Sequence, residues 1–199
     1  MSILFSNPPW WEGKESRGFF KKKRWRRGVR AGSRWPFTYQ GRCTPDNPRA
    51  NDYIPYPFFM GYASTYAQSK IGSEKVFFRD SIAMAESYDS FYKFLEEISS
   101  KIEFYLIESA TPSWEHDFNL IKNIKNKHPH LKIIVAGPIS TSDQKWDSNI
   151  IHAVIKGEYE KNVMKVINGQ NGIIEHDLLT LDEMNNSPFP YFDKFIYNR

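Results

Sequence analysis

Short apolar runs that end at polar turns recur along this chain, and they predict its strands. The central run covers residues 102–107 and leaves little room for a solvated face, as expected of a strand buried on both sides. Similar runs predict strands at residues 2–6, 75–79, 131–136 and 153–156, and residues 173–175 are a candidate short edge strand. The pattern therefore predicts five main strands.

Between these runs, apolar residues recur at helical spacing. Phe59, Tyr62 and Tyr66 predict a helix that ends at Gly72, and Phe91, Leu95 and Ile98 predict a second. Further helices are predicted around residues 118–124, 143–149 and 158–167. Strands that alternate with helices predict an α/β fold: a flavodoxin-like (Rossmann-like), doubly wound, parallel five-stranded sheet with strand order 2-1-3-4-5. We expect this domain to span residues 1–180.

Two segments interrupt the alternation. Residues 11–53 show neither a helical nor a strand period, and they are rich in Arg, Lys, Gly and Trp, so we predict a long basic insertion after the first strand. Residues 181–199 contain the Pro-Phe-Pro sequence at 188–190 and are predicted to be a linker.

A turn follows the central strand and leads into a helix. Thr111 is placed to cap that helix and Pro112 to occupy its first position. In an open α/β sheet, ligands bind at the carboxyl ends of the strands, which is where this turn lies.

The loops after strands one, three, four and five are predicted to open onto that same edge. They supply small residues, rigid prolines and hydroxyls, with carboxylates as their strongest catalytic groups: Asn7-Pro8-Pro9-Trp10, residues 109–113, Gly137-Pro138-Ile139 and Gly157-Glu158-Tyr159-Glu160. This composition favours a site that cradles a ligand over one that performs acid–base catalysis. The sequence contains no glycine-rich dinucleotide fingerprint after the first strand, no Walker-type phosphate loop and no serine nucleophile elbow.

Composition narrows the setting. Cys43 is the only cysteine, which excludes an internal disulfide framework or a cysteine metal cluster within this chain and favours a reducing cytoplasm. No apolar run approaches the roughly 20 residues of a membrane span, and the N-terminus lacks the features of a secretory signal. The net charge of +4 is concentrated in residues 14–42. We therefore expect a cytoplasmic protein with no membrane partner.

Taken together, these loops resemble the N-terminal cobalamin-binding domain of cobalamin-dependent radical SAM enzymes. The resemblance spans nearly the whole chain, and its strongest pair of motifs is Arg30-Ala31-Gly32-Ser33-Arg34-Trp35-Pro36 with Gly157-Glu158-Tyr159-Glu160. It implies a corrin over the carboxyl edge of the sheet and a nucleotide tail that runs between strands and helices. The residues that it implies as cofactor-binding are Pro8, Pro9, Trp10, Ser33, Arg34, Trp35, Thr111, Pro112, Ser113, Gly137, Pro138, Gly157, Glu158 and Tyr159.

The sequence also departs from that family. The family's second domain holds an iron–sulfur cluster through a Cys-x3-Cys-x2-Cys motif, which a chain with one cysteine cannot contain. We expect the radical SAM domain, with its iron–sulfur cluster and S-adenosylmethionine, to act in cis or in trans, so that this chain is not catalytic alone. The loop after the first strand lacks the histidine that ligates cobalt in many cobalamin domains. We therefore expect no protein nitrogen on cobalt, with His116 as a surface or capping residue.

Two other function classes compete with this interpretation. Residues 21–34 interleave basic residues with Trp25, a composition that suits phosphates and stacked bases, so a nucleic-acid-binding module is the alternative. A binding arm alone would not explain the four loops, and we do not expect nucleic acid as a partner. A response-regulator-like domain would need acidic residues after the first strand, where this chain has prolines and tryptophans.

Overall fold

The computed structural model describes residues 1–15, 23–28, 37–39, 56–84 and 86–191, and for residues 12–15, 23–28 and 37–39 it describes the backbone alone. The described strands are β1 (Ile3–Asn7), β2 (Trp11–Glu15), β3 (Lys23–Gly28), β4 (Phe37–Tyr39), β5 (Val76–Asp80), β6 (Phe104–Glu108), β7 (Lys132–Ala136), β8 (Ile151–Ile155) and β9 (Gly172–Ile174). The described helices are α1 (Phe58–Ile71), α2 (Tyr88–Ser99), α3 (Trp114–Lys127), α4 (Glu160–Ile167) and α5 (Leu181–Asn185).

The main sheet is parallel and contains six strands in the order β5-β1-β6-β7-β8-β9. The predicted doubly wound, flavodoxin-like fold is thus confirmed, and the strand count differs because the short edge strand β9 joins the sheet. All residues of β1 and β6 are buried, since helices cover both faces.

Alternate residues along each strand supply two separate cores. On one face, Ile3, Phe5 and Phe104 pack with the buried sides of α1 and α4. On the other face, Leu4 and Tyr105 pack with α2 and α3. The two-residue period of a strand therefore divides the apolar run of each strand between the two helical layers.

A second sheet lies in the segment for which we predicted no strand period. Strands β2, β3 and β4 form a three-stranded antiparallel sheet, so that expectation was wrong for these residues. The register places Glu12 opposite Arg26 and Glu15 opposite Lys23. Opposite charges at directly paired positions favour pairing of the two strands. Because these positions are charged, the sequence shows no alternation of apolar and polar residues there.

The predicted helix at residues 143–149 is also absent from the described structure. A short 3₁₀ helix, Pro138–Thr141, is followed instead by irregular chain and a turn. Two hydroxyls in and just after this 3₁₀ helix bond to nearby backbone. Ser140 donates to the Gly137 carbonyl at 2.7 Å, and Ser142 donates to the Ile139 carbonyl at 2.7 Å. Within residues 143–149, the Asn149 N–H donates to the Asp147 Oδ1 at 3.0 Å, and such a local side-chain bond competes with an α-helix.

The chain after β9 returns to the main domain. Helix α5 begins with a capping box between Thr180 and Glu183, within the segment predicted to be linker. The Tyr191 ring stacks on Phe78 with 4.8 Å between centroids, and its N–H donates to the Gly61 carbonyl at 3.1 Å. Residues 192–199 lie outside the described residues. Among the helices of the described ranges, none has the length and apolar character needed to traverse a bilayer.

Candidate functional site

The carboxyl ends of the parallel strands share one edge of the main sheet, and a cleft opens there above β6, β7 and β8. It has a volume of about 320 Å³, near the low end of the ~300–1,000 Å³ typical of ligand pockets. Its lining consists of Phe59, Glu108, Gly137, Pro138, Thr141, Gly157, Glu158, Tyr159 and His176. The structure thus brings together five residues singled out from the sequence: Gly137, Pro138, Gly157, Glu158 and Tyr159.

Glu108 forms the buried end of this cleft. It is the last residue of β6, is 3% exposed, and accepts a hydrogen bond at 2.8 Å from the Tyr159 hydroxyl. Burial raises the pKa of Glu108 to about 7; the Tyr159 hydrogen bond opposes this shift, and the Glu160 charge adds to it. The pKa of Tyr159 is also raised, first by its own burial and then by the neighbouring carboxyl. The cleft therefore contains an acid whose proton is retained close to neutral pH.

Two glycines give the cleft its walls. Gly137 has a φ of 88°, and a Cβ there would lie 2.7 Å from the Glu108 Cγ and 2.7 Å from the Ser109 carbonyl oxygen. Gly157 has a φ of 69°, and a Cβ there would lie 2.0 Å from the His176 Nδ1. The backbone conformation disfavours a side chain at both turns, and at Gly137 the nearby Ser109 backbone adds to this.

The turn after β6 does not line the cleft. Thr111 and Pro112 are exposed, and α3 begins only at Trp114 with Ser113 as its N-cap residue, so the predicted cap at Thr111 was wrong. The Ser113 hydroxyl is instead used within the turn, where it accepts from the Ala110 N–H at 3.2 Å. Because this hydroxyl-bonded turn occupies residues 110–113, α3 starts after it, at Trp114.

A serine–aspartate network lies beneath that turn. Ser109 donates to the Asp117 Oδ2 at 2.6 Å, and both side chains are buried. The polar groups of this turn are committed to one another rather than presented to a ligand. Of residues 109–117, none is in the cleft lining.

The loop after β1 is buried under aromatic rings. Pro8 and Pro9 are buried, and Trp10 is 2% exposed with its ring 5.8 Å from that of His116. His116 is half-buried, and its Nε2 lies 2.7 Å from the Tyr88 hydroxyl. These residues share the carboxyl edge of the sheet with the cleft but do not line it.

Ser33, Arg34 and Trp35 lie outside the described residues. Within the ranges that are described, no three His, Cys, Asp or Glu side chains are grouped so that they could hold a metal ion.

Four residues of the cleft lining were not predicted from the sequence as ligand-binding: Phe59, Glu108, Thr141 and His176. For Glu108 a signal was present, because a carboxyl that ends a wholly apolar strand lies at the ligand-binding edge by position. For His176 there was none, since only the fold brings the loop after β9 beside Gly157.

A second hollow of about 350 Å³ adjoins the cleft and shares Phe59 and Glu158 with it. It lies between α1 and the start of α4, and its remaining lining is Phe58, Tyr62, Tyr66, Glu160, Leu179, Met184 and Ser187. Phe58 and Phe59 are 56% and 52% exposed. Cleft and hollow together give a site with one polar end and one aromatic end.

Comparison of the chain with protein-family models, with curated proteins and with solved structures finds no match.

Proposed function

We propose that this chain is a cobalamin-binding domain that serves a radical SAM methyltransferase-type system. The observation that carries the proposal is the cleft at the carboxyl edge of a flavodoxin-like sheet, lined by the loops after β7 and β8. Parallel α/β sheets bind their ligands at this edge. The same two loops belong to the resemblance stated from the sequence.

The cleft of about 320 Å³ is smaller than a corrin, so it would hold one edge of such a ligand, and its lining chemistry suits an apolar surface with a fringe of amides. Phe59 and Pro138 offer flat apolar contact, while Thr141 and Glu108 offer polar groups. Gly137 and Gly157 let the backbone approach closely. The chemistry that a bound cobalamin supplies at such a site is methyl-group transfer, and the chain's own residues would hold and orient it.

We revise the proposed set of ligand-binding residues so that it follows the cleft lining. Gly137, Pro138, Gly157, Glu158 and Tyr159 remain in it, joined by Glu108 and Thr141. Thr111 and Pro112 stay candidates only for contacts outside the cleft, because they are exposed. Ser113 and Trp10 are buried and do not line the cleft, and the Ser113 hydroxyl bonds within its own turn.

The test is co-elution of purified chain with hydroxocobalamin or methylcobalamin in gel filtration. Thr141→Trp should block binding, because Thr141 is exposed at the cleft and a large ring there fills the space. Asp143→Trp adds the same ring at an exposed position outside the lining and should bind as the natural chain does. Folded protein that elutes free of corrin would overturn the proposal.

The radical chemistry is assigned to a radical SAM domain in cis or in trans. With one cysteine, this chain alone should neither assemble an iron–sulfur cluster nor cleave S-adenosylmethionine. Anaerobic reconstitution that yields stoichiometric iron and sulfide, with release of 5′-deoxyadenosine, would contradict this division of roles.

The register of the second sheet supports an alternative function in nucleic-acid binding. Lys14 pairs with Arg24, and Arg26 pairs with both Glu12 and Tyr39, so these positions on one face of the sheet are three basic, one aromatic and one acidic. Such a face suits a single-stranded polyanion. If this face binds RNA, added RNA should protect residues 14–42 from protease, and the protection should fall steeply with salt. Protection by cobalamin alone would instead support a cover over the cofactor.

A further inference from the structure

Glu108 has a carboxyl that the fold buries yet keeps at the cleft. Its side chain is 3% exposed and still contributes to the cleft lining. Of the hydrogen bonds within the described residues, its carboxyl takes part in one, which it accepts at Oε2 from Tyr159. One oxygen therefore has a protein donor, and the other is available to a ligand.

Among the residues whose side chains the structure describes, no lysine or arginine compensates a negative charge at Glu108. The titratable groups that face Glu108 are Tyr159 and Glu160 at the start of α4, Glu158 from the preceding loop and His176 from the loop after β9. The neighbouring 3₁₀ helix contributes Pro138 and α1 contributes Phe59. No lysine or arginine belongs to the cleft lining in the described part of the chain. A buried carboxylate among other carboxylates is unfavourable, so the proton is retained.

We propose that Glu108 acts as a neutral acid that donates a hydrogen bond to an amide or carbonyl oxygen of the bound ligand, so that binding weakens as the pH rises through neutrality. This inference rests on the proposed function and specifies how that site recognises its ligand. A neutral carboxyl has an O–H to donate, whereas a carboxylate can only accept. Loss of the proton thus turns a hydrogen bond into a contact between two acceptors.

The pKa of about 7 sets the expected pH range. If only the protonated form binds, the Kd should rise about tenfold between pH 6 and pH 8. The Glu160 charge, which helps to raise the pKa of Glu108, is unchanged in the variants described below.

The experiment measures the Kd for cyanocobalamin by equilibrium dialysis from pH 6 to pH 8.5. Cyanocobalamin is the probe because its upper ligand does not titrate in this range. Glu108→Gln is uncharged and retains an N–H donor, so it should bind at every pH with less than a twofold change in Kd. Glu97→Gln removes an exposed carboxyl on α2 and should follow the natural pH curve.

A second variant protects the test from a folding defect in the first. Tyr159→Phe removes the hydrogen bond that lowers the pKa of Glu108, so the midpoint of the binding curve should move to higher pH. A role in packing alone would weaken binding equally at all pH values without moving the midpoint.

Carbon-13 NMR of the Glu108 carboxyl, without ligand, separates the two ways of failing. If the Glu108 carboxyl titrates near pH 7 but the Kd does not change with pH, the inference is overturned and the proposed function stands. A Glu108→Gln variant that follows the natural pH curve would do the same. Absence of cyanocobalamin binding at every pH would overturn both.

Discussion

The carboxyl edge of the main sheet has two halves that the chain treats differently. After β1 and β5, rings and paired polar groups fill the edge: Trp10 is 2% exposed, and the Asn7 amide donates to the Asp80 Oδ1 at 2.9 Å. After β7 and β8, positive-φ turns at Gly137 and Gly157 leave a cleft with the Glu108 carboxyl, the last residue of β6, at its inner end. One half is closed by its own side chains, and the other is open to a ligand.

The contrast shows that position at the ligand-binding edge is not enough to make a site. In the closed half, the Glu86 carboxyl meets the Arg79 guanidinium at 2.6 Å and also accepts from the Ser81 and Ser90 hydroxyls. The polar groups of the closed half therefore stabilise the fold. In the open half, a carboxyl with a single described partner keeps bonding capacity, and that unused capacity is what a ligand can address.

The largest expected effect comes from breaking the closed half with Glu86→Ala. Removing one member of a buried ion pair leaves Arg79 without its partner and should lower the free energy of unfolding by about 3–4 kcal/mol. Urea denaturation followed by circular dichroism measures this. The cleft should still bind its ligand at temperatures where the variant is folded, and loss of binding by the folded variant would contradict the independence of the two halves.

The same carboxyl predicts acid sensitivity. Burial acts to raise the pKa of Glu86, but hydrogen bonds from Arg79, Ser81 and Ser90 and the Arg79 charge together lower it below 4.5. A depressed pKa contributes stability above the unfolded value, and this contribution is lost as the pH falls through the folded value. This contribution should be absent from the Glu86→Ala variant.

The open half should show the opposite pH dependence. The pKa of Glu108 is raised from 4.5 to about 7, so between these values the folded state binds more protons than the unfolded state. The free energy of unfolding should therefore fall by about 2–3 kcal/mol as the pH rises from 4.5 to above 7. Glu108→Gln should remove this slope and be the more stable protein at pH 8. Denaturation curves at pH 5 and pH 8 measure the difference, and equal slopes in both proteins would contradict it.

A smaller effect is expected from Gly137→Ala, which tests the turn that opens the cleft. A side chain at positive φ costs about 1–2 kcal/mol, and the contact with the Ser109 carbonyl oxygen adds to this cost. Gly169→Ala is the matched control, because its φ is 109° but nothing lies within 4 Å of the added Cβ. We expect the Gly137 variant to lose more stability than the control and to bind ligand more weakly. Equal losses would show that backbone strain alone matters at Gly137.

The smallest expected effect concerns His116 in the closed half. Its Nε2 lies 2.7 Å from the Tyr88 hydroxyl and away from the cleft lining, so His116→Ala should leave the electron paramagnetic resonance spectrum of bound cobalt(II) unchanged. A nitrogen splitting of the cobalt signal that disappears in His116→Ala would contradict this, because it would show that the ligand binds in the closed half. His176 lines the cleft, so His176→Ala is the comparison variant.

The sequence predicted the parts of the molecule that depend on apolar pattern. The run through Leu106 and Ile107 gave the central strand, and the spacing of Phe91 and Leu95 gave α2, because burial of such residues dominates the choice of element. The five cleft residues at Gly137, Pro138 and positions 157–159 were found because strand ends and turn residues mark the carboxyl edge.

What the sequence could not predict depends on which polar partner each group takes, whether that partner is near or distant along the chain. The pairing of Glu12 with Arg26 makes a strand from charged residues, and no apolar period announces it. The Ser113 hydroxyl is taken by the Ala110 N–H, which moved the helix start beyond Thr111. Which half of the edge is closed was likewise hidden, because Trp10 packs against His116 of α3 and Ile82 of the loop after β5, both distant along the chain.

The short strand β9 has a consequence for how copies of this protein behave at high concentration. Within the described structure the main sheet ends at β9, which has three residues and begins at Gly172 with a φ of 76°. An exposed sheet edge is a template for cross-chain pairing, and its danger grows with its length. An edge of three residues, followed at once by Glu175, offers an incoming strand few backbone partners. Fibrillar growth from this side of the molecule is thereby disfavoured.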